Sequence, residues 1–238
     1  MNIVLTGFMG TGKTVVGRRL ARRLGWRFVD VDRLIEQRTR RSIAEIFAEH
    51  GEAVFRRLEQ RMIGRLACGR AQVIATGGGA FVDPDNRERL QATGPVICLT
   101  ASPRVIFQRV GPSVSKRPLL AADPTVSRIE RLMQQRASAY AKADFTLDTS
   151  RLSVDEVVAR VDALISPWLS RSWQYLLKHS PDLCQRYAGK YVVVRDNRVV
   201  AVGTSHLKAY QRLRKPLPAS SEVGIYYVPL PEESAVAL

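Results

Sequence analysis

Gly7-Phe8-Met9-Gly10-Thr11-Gly12-Lys13-Thr14 is the stretch that decides the fold of this 238-residue chain. The eight residues read G-x-x-x-x-G-K-[ST], the spacing of a phosphate-binding loop. Asn2-Ile3-Val4-Leu5-Thr6 before it is short, apolar and rich in β-branched residues, as a buried parallel strand requires. After it, Val16, Leu20 and Leu24 recur every four residues and Gly25 supplies a stop, which predicts a helix. Strand, glycine loop and helix N-terminus together turn backbone N–H groups toward one point, where the helix dipole favours an anion. Gly7, Gly10 and Gly12 allow the tight turn and the close approach. Lys13 is then placed to reach β- and γ-phosphates, and the Thr14 hydroxyl to ligate Mg²⁺. The expectation is a bound nucleoside triphosphate.

Composition sets wider limits. Apolar content of 45% allows an ordinary buried core. No run of eighteen apolar residues occurs, and the first strand begins after one residue, so neither a membrane span nor a cleaved leader is expected. Cys68, Cys98 and Cys184 are odd in number, far apart and without C-x-x-C spacing. They read as reduced thiols of a cytoplasmic protein, and three scattered His argue against a structural metal. The net charge of +15 is spread out: 27 Lys+Arg face 17 Asp+Glu in residues 1–167, and 10 face 5 in residues 168–238. A nucleic-acid surface would suit such a charge. A basic cleft for a nucleotide and an acidic small molecule explains it more simply.

Taken in order, residues 27–32, Arg-Phe-Val-Asp-Val-Asp, read as a second strand ending in two carboxylates. On a strand, Asp30 and Asp32 would point the same way, toward the phosphate loop beyond the carboxyl ends of the sheet. A helix cap accounts for one of them. Ser42-x-x-Glu45 is a capping box, Gly51 a stop, and Val54, Leu58, Met62 and Leu66 a helical stripe. Arg56 lies off that stripe between Glu52 and Glu59, the pattern of an exposed charge in helical ion pairs. Gln72-Val-Ile-Ala-Thr is a buried strand running into Gly77-Gly78-Gly79-Ala80, either a flexible turn or backbone meeting a ligand. Asp83-Pro84 and Ser102-Pro103 open two further helices around a strand at residues 96–99, the second helix stopping at Gly111-Pro112. Residues 111–124, with three Pro and no periodicity, read as a mobile lid. From Thr125 to Ala141 a helix places Ile129, Met133, Arg136 and Tyr140 on one face. Arg136 thus lies on the core-facing stripe, which is costly unless an anion pairs with it or the side chain snorkels to the edge.

At this point a resemblance becomes specific. Residues 28–59, FVDVDRLIEQRTRRSIAEIFAEHGEAVFRRLE, resemble the substrate-binding region of shikimate kinases, with a DxD, an IAEIF-type helix and GExxFRxxE. The GFMGTGKT loop and Lys116-Arg117-Pro118-Leu119-Leu120 fit the same family, and matching motifs run from Met1 to about residue 166. The resemblance implies an α/β, three-layer P-loop kinase fold with a five-stranded parallel sheet. It implies transfer of the ATP γ-phosphoryl to the 3-hydroxyl of shikimate, a step of aromatic amino acid biosynthesis, with ATP and Mg²⁺ as cofactors. It assigns Gly10, Thr11, Gly12, Lys13, Thr14 and Val15 to the nucleotide, Arg109 to the adenine, and Arg117 of the lid to the phosphates. Thr14 and Asp30 would hold the metal. Asp32 would orient the acceptor hydroxyl and take its proton, Arg56 and Arg136 would clamp the carboxylate, and Phe47, Phe55, Gly77, Gly78 and Gly79 would complete the acceptor site. The rivals are a gluconate-type sugar-acid kinase and a nucleotide-dependent binding protein with a recruiting tail.

The first domain should close with a strand at residues 145–149 and a helix capped by Ser153 and Glu156, before Pro167. Residues 167–189, with Trp168 and Trp173, read as a linker and helical segment. Residues 190–238 read as a small α+β module: a hairpin from Lys190 to Val202 turning at Asp196-Asn197, a helix from His206 to Leu213, and a strand from Gly224 to Val228. This module has no nucleophile, metal cluster or glycine loop, and the resembling family ends before it. The expected enzyme is a monomer with shikimate as its small-molecule partner and no membrane or nucleic-acid partner. Its tail is left for self-association or protein docking.

Overall fold

The structure is a computed structural model, and it describes residues 1–111, 118–121, 123–169, 174–176, 179–195, 198–213, 223–228 and 230. The chain divides into two compact units, Met1–Leu164 and Ile165–Leu238.

In the first unit, β1 (Ile3–Thr6), β2 (Arg27–Asp30), β3 (Gln72–Ala75), β4 (Val96–Thr100) and β5 (Phe145–Asp148) form one sheet in the order β2-β3-β1-β4-β5. All four pairings are parallel. Every residue of β1 and β3 is buried, because helices cover both faces of such a sheet. The helices are α1 (Lys13–Leu24), α2 (Val31–Thr39), α3 (Ile43–Ala67), α4 (Pro84–Gln91), α5 (Pro103–Val110), α6 (Pro118–Ala121), α7 (Val126–Tyr140) and, after the last strand, α8 (Val154–Ile165). The chain runs from β1 to β2 and β3 on one side and then to β4 and β5 on the other. The carboxyl end of β1, where the phosphate loop follows, is therefore the switch point at which such sheets bind ligands.

Punctuation in the sequence explains most element ends. Ser42 and Glu45 form the reciprocal capping box, Asp83 and Ser102 cap α4 and α5 ahead of Pro, and Thr125 caps α7. Ser153 and Glu156 close a second reciprocal box at the start of α8.

The second strand corrects the sequence reading. It stops at Asp30 instead of running to Asp32, and α2 starts at Val31. Asp30 is its N-cap, with its side chain accepting from Arg33 N, so the capping alternative holds for this residue. Strand alternation therefore does not relate the two carboxylates: Asp32 stands in the first turn of α2. Gly51 interrupts α3 with φ 76° and ψ 169°, so residues 43–50 and 52–67 are two helical segments, in line with a stop there. Of the lid stretch 111–124, residues 112–117 and 122 lie outside the described residues, and 118–121 form a short helix.

In the second unit α9 (Ser180–Tyr187) precedes β6 (Lys190–Arg195), β7 (Arg198–Gly203), α10 (His206–Gln211) and β8 (Val223–Val228). The strands form an antiparallel sheet in the order β7-β6-β8, with a register shift between Val193 and Val194. The hairpin turn Asp196-Asn197 is outside the described residues, as are Trp173 and Leu177. Val192, Val193 and Val194 are all fully buried, so the central strand is covered on both faces and not on one alternating face. Ala209 of α10 packs with Val193 and Ala201 on one of them. Among the described residues no helix is long and apolar enough to cross a membrane.

Candidate active site

The phosphate loop takes the backbone shape its glycines permit. Gly7, Gly10 and Gly12 have φ of 126°, 78° and 95°, the left-handed region that favours glycine. A Cβ on Gly7 would lie 2.1 Å from Leu99 O, so only glycine fits there. No side chain caps α1 at Gly12, which leaves its first N–H groups for a ligand. Lys13 Nζ lies across the loop and donates to Gly7 O and Phe8 O, at 2.7 Å each. Thr14 Oγ1 donates to Asp30 Oδ2 at 2.7 Å, so a hydroxyl and a carboxylate meet where a hard cation would find oxygen ligands.

A cleft of about 640 Å³ opens above this loop. Gly10, Gly12, Lys13, Thr14, Val15, Asp30, Asp32 and Arg109 line it. Arg109 is held there by bonds to Thr149 O at 2.8 Å and Thr149 Oγ1 at 3.0 Å. Thr11 does not reach the cleft with its side chain. It is buried, and its hydroxyl donates to Phe8 O, so it shapes the loop from inside. Arg117 lies outside the described residues.

Next to the cleft is a smaller cavity of about 100 Å³, lined by Asp32, Phe47, Phe55, Arg56, Gly77, Gly78, Gly79 and Arg136. These eight come from α2, both segments of α3, the loop after β3, and α7. Glycine makes the convergence possible. A Cβ on Gly77 would lie 2.6 Å from both Asp32 Oδ1 and Glu59 Oε1, and one on Gly79 would lie 2.5 Å from Arg56 Nη2. A Cβ on Gly78 would lie 3.3 Å from Arg136 Nη1. Room for the protein's own charged side chains is thus a reason for these glycines that neither sequence reading gave. Phe47 and Phe55 stack as a tilted pair, 5.1 Å between ring centres, with the Arg56 guanidinium 5.2 Å from the Phe55 ring.

The two arginines differ. Arg56 makes the helical ion pairs its spacing announced, with Glu52 and Glu59 at 2.8 Å each, and also lines the cavity. Arg136 is 9% exposed, does not snorkel out, and makes no ion pair among the described residues. It donates to Gly78 O at 3.0 Å and lies over the Phe8 ring at 5.4 Å. A buried guanidinium with a carbonyl and a ring but no carboxylate beside it favours an incoming anion.

The carboxylates show the opposite strain. Burial, reinforced by Asp30 and opposed by Lys13 and Arg56, pushes the Asp32 carboxyl up to about 6. Its Oδ1 is buried with no hydrogen-bond partner among the described residues. Glu59 is fully buried, and burial pushes it up to about 7 although Arg56 holds it down. Its Oε1 is likewise unpartnered, while Oε2 accepts from Arg56 Nη1 at 2.8 Å. The sequence reading did not single out Glu59 as a site residue. Its signal was present as the last residue of GExxFRxxE, one helical turn beyond Arg56. Tyr140 was read as core and does more: its hydroxyl donates to the same Gly78 oxygen as Arg136, and burial pushes its pKa up to about 12.

Chemically, an anion-receiving glycine loop adjoins a pocket with two guanidinium groups and a carboxyl poised near neutrality. Asp32 and Gly78 line both spaces. A group bound in the small cavity can therefore present an oxygen to a phosphate in the cleft, with Asp32 beside both.

Comparison with known proteins gives the family. The family model described as shikimate kinase matches residues 9–165. The chain is 47% identical over 160 residues to a shikimate kinase of Thermodesulfovibrio yellowstonii, covering 67% of this chain and 92% of that protein. It is 48% identical over 164 residues to one of Geobacter sulfurreducens, covering 69% and 90%. Among solved structures, the shikimate kinase from Acinetobacter baumannii in complex with shikimate superposes with a TM-score of 0.67 at 35% identity, covering 71% of this chain and 95% of that one. A second model, of a family of unknown function (DUF5678), matches residues 182–232.

Proposed function

The chain belongs to the shikimate kinase family, and from that premise we propose how its residues divide the work of phosphorylating shikimate with ATP. The observation that carries the assignment is the position of Asp32, at the junction of the nucleotide cleft and the acceptor pocket.

Nucleotide enters the large cleft, its phosphates on the N–H groups of the glycine loop. Lys13 exchanges its two carbonyl partners for β- and γ-phosphate oxygens. The Thr14 hydroxyl and the Asp30 carboxylate suit Mg²⁺, hard oxygen donors for a hard cation. When bound with the nucleotide, Mg²⁺ supplies positive charge to the phosphate oxygens. Shikimate lies in the small cavity with its carboxylate toward Arg136 and Arg56, its ring beside Phe47 and Phe55, and its hydroxyls beside Gly78 and Gly79. The 3-hydroxyl oxygen forms a bond to the γ-phosphorus as the bond to the β-bridging oxygen breaks. ADP leaves, and the hydroxyl proton passes to Asp32. A carboxyl raised to about 6 is a better base than an ordinary aspartate and remains ionised at neutral pH. Positioning and charge supply most of the acceleration of such a transfer.

Asp32→Asn tests the assignment. Turnover should fall below about a tenth of wild type, a loss above about 1.4 kcal/mol, while the ATP Kd stays within about twofold. Turnover above that level would remove Asp32 from the role of base. We read the enzyme as a monomer with its catalytic domain in residues 1–166. Residues 167–189 are then a linker and helical segment, and 190–238 an accessory module.

A further inference from the structure

Arg56 does not meet the acceptor pocket with an open fork. Its Nε and Nη2 both donate to Glu52 Oε1, at 3.1 and 2.8 Å, and its Nη1 donates to Glu59 Oε2 at 2.8 Å. The guanidinium lies flat against Gly79, where a Cβ would be 2.5 to 2.7 Å from Nη2, Nη1 and Cζ. Its Nε–Nη2 edge offers the two parallel N–H groups that a planar carboxylate takes in a bidentate pair. In the structure that edge is taken by Glu52.

The two glutamates are not equivalent. The Glu59 side chain is fully buried and the Glu52 side chain is 51% exposed. Removing a partner from a buried ion pair leaves an uncompensated charge in low dielectric, so Glu59 is hard to displace and fixes the guanidinium plane. An exposed pair one helical turn apart contributes only about 0.3–0.5 kcal/mol, so Glu52 is easily displaced. Arg136 needs no such release, since it has no carboxylate partner among the described residues.

We propose that Glu52 is a stand-in counter-ion for the acceptor: it holds the Nε–Nη2 edge of Arg56 and yields that edge when the acceptor carboxylate arrives. This rests on the reading that the acceptor is shikimate, a carboxylic acid. Shikimate then docks first on Arg136, and Arg56 transfers from one carboxylate to another. Glu52 weakens acceptor binding twice, by competing for the guanidinium and by leaving its own negative charge beside the incoming one. It is a positioning residue that sets acceptor affinity and does not touch the reacting atoms.

The test is isothermal titration of shikimate into the full-length enzyme and into Glu52→Gln and Glu52→Ala, with steady-state KM values for both substrates. The inference expects the shikimate Kd and KM to fall about two- to fivefold in both variants, with the ATP KM unchanged. Thermal melting shows whether each variant is folded, and Gln retains the size of Glu if Ala loosens the helix start. An unchanged or higher shikimate Kd in folded Glu52→Gln overturns the inference, because Glu52 would then hold Arg56 in place instead of competing for it. Failure of shikimate to bind the wild-type enzyme would overturn the acceptor reading and this inference together. Normal wild-type binding with no gain in the variants overturns this inference alone.

Discussion

Gly77 and Asp32 are in closer contact than any other residue at position 77 would allow: a Cβ there would lie 2.6 Å from Asp32 Oδ1. Backbone and carboxyl are matched to each other, and Glu59 Oε1 presses on the same point. Gly77→Ala should therefore push both carboxyls from their places. Gly77 is not among the positive-φ glycines, so the variant should fold. The expected outcome is a fall in kcat of at least about tenfold, above about 1.4 kcal/mol, with the ATP KM little changed. Kinetics of both substrates, together with a melting curve, separate this outcome from simple unfolding.

Arg136 and Tyr140 both donate to Gly78 O. Tyr140→Phe preserves the ring that packs in the core and removes one of the two bonds that fix this peptide. A hydrogen bond contributes about 0.5–1.5 kcal/mol net, so the shikimate KM should rise about two- to twelvefold. The ATP KM should move less, since Tyr140 itself does not line the large cleft. Equal changes in both KM values would mean that Tyr140 serves general packing only.

Sequence and structure part company in a consistent way. Strand, loop and helix at the N-terminus were legible because apolar periodicity and glycine spacing are local. The helix caps at Ser42 and Ser153 were legible for the same reason. Asp32 was identified as a site residue through a strand that ends two residues too early: α2 begins inside the DxD, and nothing local distinguishes a short strand end from a first helical turn. Glu59 was overlooked because its meaning is tertiary. On a helix it is one more charge three residues from an arginine, and only the fold brings Gly77 and Asp32 against it. Arg56 shows that two local readings need not exclude each other, since it keeps its helical ion pairs and lines the pocket.

The C-terminal unit can be tested by removal. The curated relatives match this chain over about 160 residues, which is 92% of the Thermodesulfovibrio yellowstonii protein, so a kinase domain of that length exists by itself in the family. Truncation after Ser166 should leave the shikimate KM within about threefold, a change below about 0.7 kcal/mol. The comparison is steady-state kinetics of truncated and full-length enzyme at matched folded concentration. A folded but inactive truncation would mean that residues 167–238 complete the active site.

The central claim is that the small cavity takes shikimate and that Asp32 and the glycine loop direct a phosphoryl group onto it. The most direct measurement is ADP release from MgATP with shikimate, quinate, gluconate or no acceptor, with the product examined by phosphorus NMR. The account predicts one ADP per shikimate consumed, phosphate on the 3-oxygen, and only background release with the other three. ADP release at the same rate without shikimate, or faster with gluconate, would contradict it.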